Sequence, residues 1–287
     1  QGDLDAGIAH ARLAAARAPA GKQARALAGW NDSGLGYMLC GVGRYAEGMA
    51  ILEAELAHGD GVVSALRANQ EQWLAQVLLT LGQVARAGQL LGADESLPPG
   101  LRRAKRLIAR AALQRALGQA DEALLLEARE AAQGPAFRYE QLTIDIELAS
   151  RCGPDEADRW CEQLAAQARE REYFPLVILA EMACLRARQQ AHRADDAATL
   201  ATSLEVLARR YRHPIVYFPA VLQACAAAHL DCGRRDEARR CLTEALHWVH
   251  AVALPQVPQA YRESFMQRNA VNRRLQSDFG LAADMGR

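Results

Sequence analysis

The chain has 287 residues, 51% of them apolar and 24% charged, with Lys+Arg and Asp+Glu equal at 34 each. That composition can bury a continuous core in water, and the zero balance argues against a general binder of nucleic acid or of an anionic membrane, both of which need a basic field. No apolar run reaches the roughly 18 residues of a membrane span, and the first residues do not read as a signal peptide.

In chain order, the first signal is a small residue, usually glycine, followed five places later by another. It occurs at Gly2–Gly7, Gly43–Gly48, Gly82–Ala87, Gly118–Ala123 and Gly233–Ala238. Weaker copies are Gly153–Ala157, one residue short, and Arg193–Ala198, without the glycine. The steps between 2, 43, 82, 118, 153, 193 and 233 are 41, 39, 36, 35, 40 and 40 residues. A fixed period of this length implies a stacked repeat.

Each unit reads as a helix A, a tight turn and a helix B. Before Gly82, the residues Leu74, Val77, Leu78 and Leu81 form one helical stripe, as do Leu142, Ile146 and Ala149 before Gly153. After the turns, Leu200, Leu204 and Leu207 repeat the spacing, and so do Leu242, Leu246 and Val249. Helix A starts are marked by Ser64, Gly100, Pro135 and Pro175, proline being tolerated where a first-turn N–H has no partner. The turn glycine suits a left-handed residue closing helix A. Small residues seven before the turn, Gly36, Ala75, Ala111 and Ala226, predict close helix crossings, with Leu35 and Leu74 as core side chains.

Beyond Gly233 the period predicts another helix A from about residue 256, after Pro255. Its turn falls near Asn269–Asn272, with asparagine left-handed, and a last helix follows from Val271 to Ala283. The polar residues Arg262, Glu263, Gln267, Arg268, Arg273 and Arg274 suit a terminal cap. The organisation expected is therefore 1–254 as helical repeats, the first truncated, and 255–287 as capping helices of the same solenoid. Gly59–Gly61 and Asp94–Gly100 read as loops between units. Because the chain opens on Gln1 within a repeat turn, it is expected to be a piece of a longer polypeptide.

The small-residue, glycine and leucine offsets resemble the tetratricopeptide repeat, although the period is nearer 39 than 34 and most aromatic anchors are absent. Longer, degenerate repeats of this kind resemble the MalT-like superhelical sensor region of bacterial signal-transducing ATPases and transcription regulators. The stretch from Tyr261 to Leu275 is similar to the end of such a region. The resemblance implies an all-α, right-handed superhelical solenoid of antiparallel helix pairs. It also implies an ATPase module elsewhere in the parent protein.

Chemistry-bearing motifs are sparse. Gly34-Leu-Gly36 and Gly41-Val-Gly43 lack the lysine of a phosphate loop. His247 and His250 share a helix face without a third metal ligand. Asp155-Glu156 and Asp195-Asp196 suit helix N-termini. The cysteines Cys40, Cys152, Cys161, Cys184, Cys225, Cys232 and Cys241 form no Cys-x-x-Cys pair and read as reduced small hydrophobes, which fits a cytoplasmic location. The expectation is a non-enzyme with no catalytic residue, metal or cofactor. The basic stretch Leu101–Arg106 with Arg110 and Arg115, and the pairs Arg234-Arg235 and Arg239-Arg240, read as solvated faces or as docking patches for an acidic partner.

The resemblance places the ligand groove on the inner face of helix A. Family-like offsets counted back from each turn select Trp30, Ser33 and Tyr37, then Asn69, Gln72 and Gln76, then Lys105 and Arg115, then Glu140, Thr143 and Glu147. Later units give Gln190, Gln223 and Asp231. Amides and hydroxyls beside an aromatic ring suit a neutral polar ligand or a peptide backbone. The expected role is a sensor or regulatory module that binds a protein, a peptide or a small polar ligand, without direct contact to nucleic acid or membrane. The alternative is a plain protein–protein scaffold that binds a peptide or mediates self-association.

Overall fold

The computed structural model describes residues 4–16, 22–57, 64–92 and 100–284. Among them the fold is all-helical, without strands. The helices are α1 Leu4–Ala16, α2 Lys22–Gly41, α3 Tyr45–Ala57, α4 Ser64–Thr80, α5 Val84–Leu91, α6 Leu101–Ala116, α7 Glu122–Ala131, α8 Arg138–Ala149, α9 Pro154–Glu170, α10 Phe174–Gln190, α11 Ala194–Arg210, α12 Phe218–Asp231, α13 Arg235–His247, α14 Arg262–Gln267 and α15 Ala270–Asp284. No helix among the described residues is long and apolar enough to cross a membrane. The turn at Gly2 and most of the two glycine- and proline-rich loops lie outside the described residues.

Six helices end with one hydrogen-bond signature. The N–H groups of Arg44, Gln83, Gln119, Tyr173, Arg193 and Arg234 reach back to the carbonyls of Leu39, Leu78, Gln114, Ala168, Arg188 and His229. This Schellman closure requires one left-handed residue, supplied by Gly43, Gly82, Gly118, Glu172, His192 and Gly233. His192, with φ 57, corrects the sequence reading: the turn of that unit falls one residue before Arg193. Gly153 is a second correction. Its φ is −58, and it stands in front of Pro154 without a left-handed turn.

Close crossings depend on the small residues. A Cβ on Gly36 would lie 2.9 Å from the Gly48 carbonyl, and one on Gly48 would lie 2.5 Å from Cys40 Sγ. Ala75, Ala87, Ala111, Ala226 and Ala238 are buried at the matching places. Ala123 is exposed, contrary to the pattern, because α7 buries Leu125 and Ala128 instead. Leu35 and Leu74 are buried.

The even-numbered helices α2, α4, α6, α8, α10 and α12 touch in succession, and the odd-numbered helices α3 to α13 each pack on the even ones beside them. The even helices therefore form an inner row.

The C-terminal segment departs most from expectation. No long helix begins near residue 256. A wider π turn over Trp248–Ala253 and short 3-10 turns over Leu254–Gln256 and Gln259–Tyr261 lead into the short α14. Pro255 and Pro258 deny helical N–H groups here. Asn269 is not left-handed. Its Oδ1 accepts from the N–H groups of Val271 and Asn272 and caps α15.

This segment also returns to the early units instead of extending the row. Ser264 Oγ donates to the Leu81 carbonyl at 2.7 Å, and Asn269 Nδ2 donates to the Thr80 carbonyl at 2.8 Å. Gln83 Nε2 donates to Ser264 Oγ, and Arg86 donates to the Tyr261 hydroxyl. The fully buried Phe265 ring lies 5.8 Å from that of Tyr45. One hydrophobic cluster runs from Tyr37, Tyr45 and Leu81 through Val221 and Trp248 to Phe265 and Leu275. The two ends of the row are thus joined, where the period alone implies an open rod.

Gly82 and Gly118 share a φ of +71, but their surroundings differ. A Cβ on Gly82 would lie 2.5 Å from the Ser264 carbonyl oxygen, whereas one on Gly118 meets nothing within 4 Å. Gly118→Ala is expected to cost only the left-handed backbone penalty, about 1–2 kcal/mol. Gly82→Ala adds overpacking of about 1–3 kcal/mol. Urea denaturation of both variants measures the difference, which is the energetic signature of the closure.

Candidate functional site

The inner row encloses a cavity of about 310 Å³, lined by α4, α6, α8 and α10, by Leu125 of α7, and by Ile215 from the segment between α11 and α12. Leu79, Ile108, Ile146, Leu179, Met182 and Ile215 make most of the wall apolar, while Gln72, Gln76 and Thr143 present amide and hydroxyl groups. Arg115, Glu147 and Arg186 stand in the same wall. A smaller cavity of about 50 Å³ shares Gln72, Gln76, Ile108, Thr143 and Ile215 with it, and adds Tyr37, Trp73, Lys105, Tyr139, Glu140 and His213.

The wall follows from helical phase. Gln72 and Gln76 stand ten and six residues before Gly82, and Ile108 and Ala112 hold the same places before Gly118. Thr143 and Glu147 hold them before Gly153. Counted from the true turn residue His192, Met182 and Arg186 hold them in α10. The sequence pattern missed α10 because it took Arg193 as the turn. Gln190, chosen on that count, is exposed at the end of α10.

The other groove residues divide as follows. Tyr37 is buried, donates its hydroxyl to Gln76 Oε1 at 2.5 Å, and stacks on Trp73 with centroids 5.0 Å apart. Lys105 Nζ pairs with Glu140 at 2.8 Å, with both side chains about nine-tenths buried. Ser33 and Asn69 are buried but belong to neither wall, and Ser33 Oγ accepts from Gln70 Nε2 at 2.8 Å. Trp30 lies in α2, outside the residues whose side chains are described.

The charges form two groups. At the narrow end, Lys105 and Glu140 cancel. At the wide end, Arg115 holds Asp121 at 3.0 Å and Glu147 at 2.9 Å, and Arg151 holds the same carboxylates at 2.6 and 3.6 Å. Burial favours neutral forms, yet the paired charges outweigh it. Asp121 is held below the usual carboxylate range by Arg151 and Arg115, and Arg115 is raised by Glu147 and Asp121. Arg186 is different. Desolvation within the ring of helices lowers its pKa, Arg115 and Arg274 add to that effect, and Glu147 opposes it.

A second polar cluster lies among α11, α12 and α13. Glu205, His229 and Cys241 are buried, with potential metal-ligand atoms within 4.8 Å of one another. Glu205 already accepts from His229 Nε2 at 2.8 Å, Arg209 at 2.9 Å and Arg240 at 3.2 Å. A divalent cation there would meet two guanidinium groups, so the cluster reads as a hydrogen-bonded network tying α11 to α12 and α13. All seven cysteines are free thiols, five of them buried.

No protein-family model matches this chain, and no curated protein matches its sequence.

His213 lies at the edge of the smaller cavity, its ring 5.9 Å from that of Tyr37, and its Nδ1 accepts from the Ile215 N–H at 3.2 Å. Desolvation pushes its pKa down from 6.5 to about 4. Between those values the unfolded chain binds a proton that the native chain refuses. The associated stability is present above pH 6.5 and is lost as pH falls towards 4. His213→Asn keeps an acceptor without titrating, so its loss of stability between pH 6.5 and 4, followed by urea melts, is expected to be shallower than that of the parent chain.

Proposed function

We propose that this chain is a non-catalytic sensor or regulatory module, in which antiparallel helix pairs stack as a right-handed superhelix around a ligand cavity. The succession of even helices along an inner row supports the superhelical reading. The observation that carries the functional reading is the cavity, where α4, α6, α8 and α10 each contribute residues to one mostly apolar wall with a few convergent polar groups. That is the usual make-up of a small-molecule site, and its volume is at the lower end of the usual range, about 300 Å³. A space of this size favours a small molecule over an extended peptide. Together with the resemblance to MalT-like regions, it supports the reading of a module from a larger bacterial signalling or transcription regulator.

The mechanism is a population shift. A ligand touching four successive helices binds best to one curvature of the row, and it favours that curvature by its differential affinity alone. The closure between the Gly82 turn and α14 is the contact most exposed to such a change, because it joins helices far apart in the row.

A thermal-shift screen of sugars, nucleotides, amino acids and organic acids tests the reading. A ligand at 100 times its Kd is expected to stabilise the native chain by about 2.7 kcal/mol. Gln72→Ala combined with Gln76→Ala is expected to weaken that ligand roughly thirtyfold, at about 1 kcal/mol for each hydrogen bond, with helicity unchanged. Ala112→Phe fills the cavity and abolishes binding. A panel without any shift, or unchanged affinity in both variants, overturns the proposal.

A further inference from the structure

The wide end of the cavity carries more positive than negative charge. Asp121 and Glu147 are the two carboxylates there, and both are held by Arg115 and Arg151. Arg186 of α10 lines the wall and reaches solvent, yet it makes no hydrogen bond or ion pair with any described residue. Glu147, the only carboxylate whose charge it feels strongly, is already engaged twice. Arg274 of α15 is exposed, also makes no such contact among the described residues, and is close enough for its charge to act on Arg186.

Partial desolvation and the like charges of Arg115 and Arg274 lower the Arg186 pKa against the pull of Glu147, although the residue remains exposed. An anion at its guanidinium would offset those like charges. The guanidinium fork suits a carboxylate or phosphate, and the wall formed by Leu79, Ile108, Ile146 and Met182 suits an apolar body.

We infer that the cavity takes a small organic anion, an apolar body bearing one carboxylate or phosphate head, with the head bound by Arg186 and the body lying between α4, α6 and α8. This inference rests on the cavity being a ligand site, as proposed above, and it adds the charge class of the ligand. It replaces the neutral ligand that the sequence pattern alone suggests.

Octanoate, octyl phosphate and uncharged octanamide share one tail length and separate the head groups. Isothermal titration of the whole chain is expected to give at least tenfold tighter binding for one of the anions than for octanamide, and the tighter anion identifies the head. Arg186→Gln is expected to erase that preference while leaving octanamide unchanged. Because Arg186 makes no contact that holds the fold, the ligand-free variant is expected to melt at the parent temperature or above it. Equal affinity for octanamide and both anions, or a preference that survives Arg186→Gln, overturns the anion inference and leaves the cavity reading standing. A lower melting temperature for ligand-free Arg186→Gln assigns the residue a structural role and also overturns the inference. If none of the three probes binds, the inference falls, and any uncharged hit from the broader screen decides the cavity reading separately.

Discussion

At the C-terminal end of α4, the carbonyls of Thr80 and Leu81 lie where a helix leaves its acceptors without partners of its own. Asn269 and Ser264 supply the missing donors from the far end of the chain. This exchange is possible only because Gly82 leaves room for α14 to approach, with no side chain between the turn and the Ser264 carbonyl. Phe265 then fills the space beside Tyr45. The rest of the arrangement depends on this closure. With the two ends of the row joined, the inner helices face a bounded space.

The same repeat logic operates along the inner row. Tyr37 and Gln76 occupy the place six residues before their respective turns, and they are hydrogen-bonded to each other. Lys105 and Glu140 occupy the place thirteen before theirs and form an ion pair. Equivalent positions in neighbouring units thus meet, and their chemistry changes from unit to unit along the row. A cavity wall built this way is a sequence of pairwise choices. The α10 position, Arg186, has no such partner among the described residues.

Much of the fold was legible because the backbone demands particular residues. A Schellman turn asks for a left-handed residue, and glycine announced it at 43, 82, 118 and 233. Where histidine does that job, at 192, the sequence offers no comparable mark, and the phase of α10 slipped by one. Met182 and Arg186 were lost with it. Gly153 misled in the opposite direction, since its role is to precede Pro154 and not to turn left-handed. The C-terminal return was not legible at all. Periodicity reports local helices, whereas the contacts of Ser264, Phe265 and Asn269 depend on residues far away in the chain. The approach of His213 and Ile215 to the inner row is long-range in the same way, and no local pattern encodes it.

The joined ends also bear on how the chain acquires its structure. Open repeat arrays form from neighbouring contacts and can begin anywhere. Here the carbonyls of Thr80 and Leu81 and the face of Tyr45 wait for partners that are synthesised much later. High contact order slows folding, and domains are made from the N-terminus onward. The early helices therefore leave the ribosome with a seam still open, and α14 and α15 close it last.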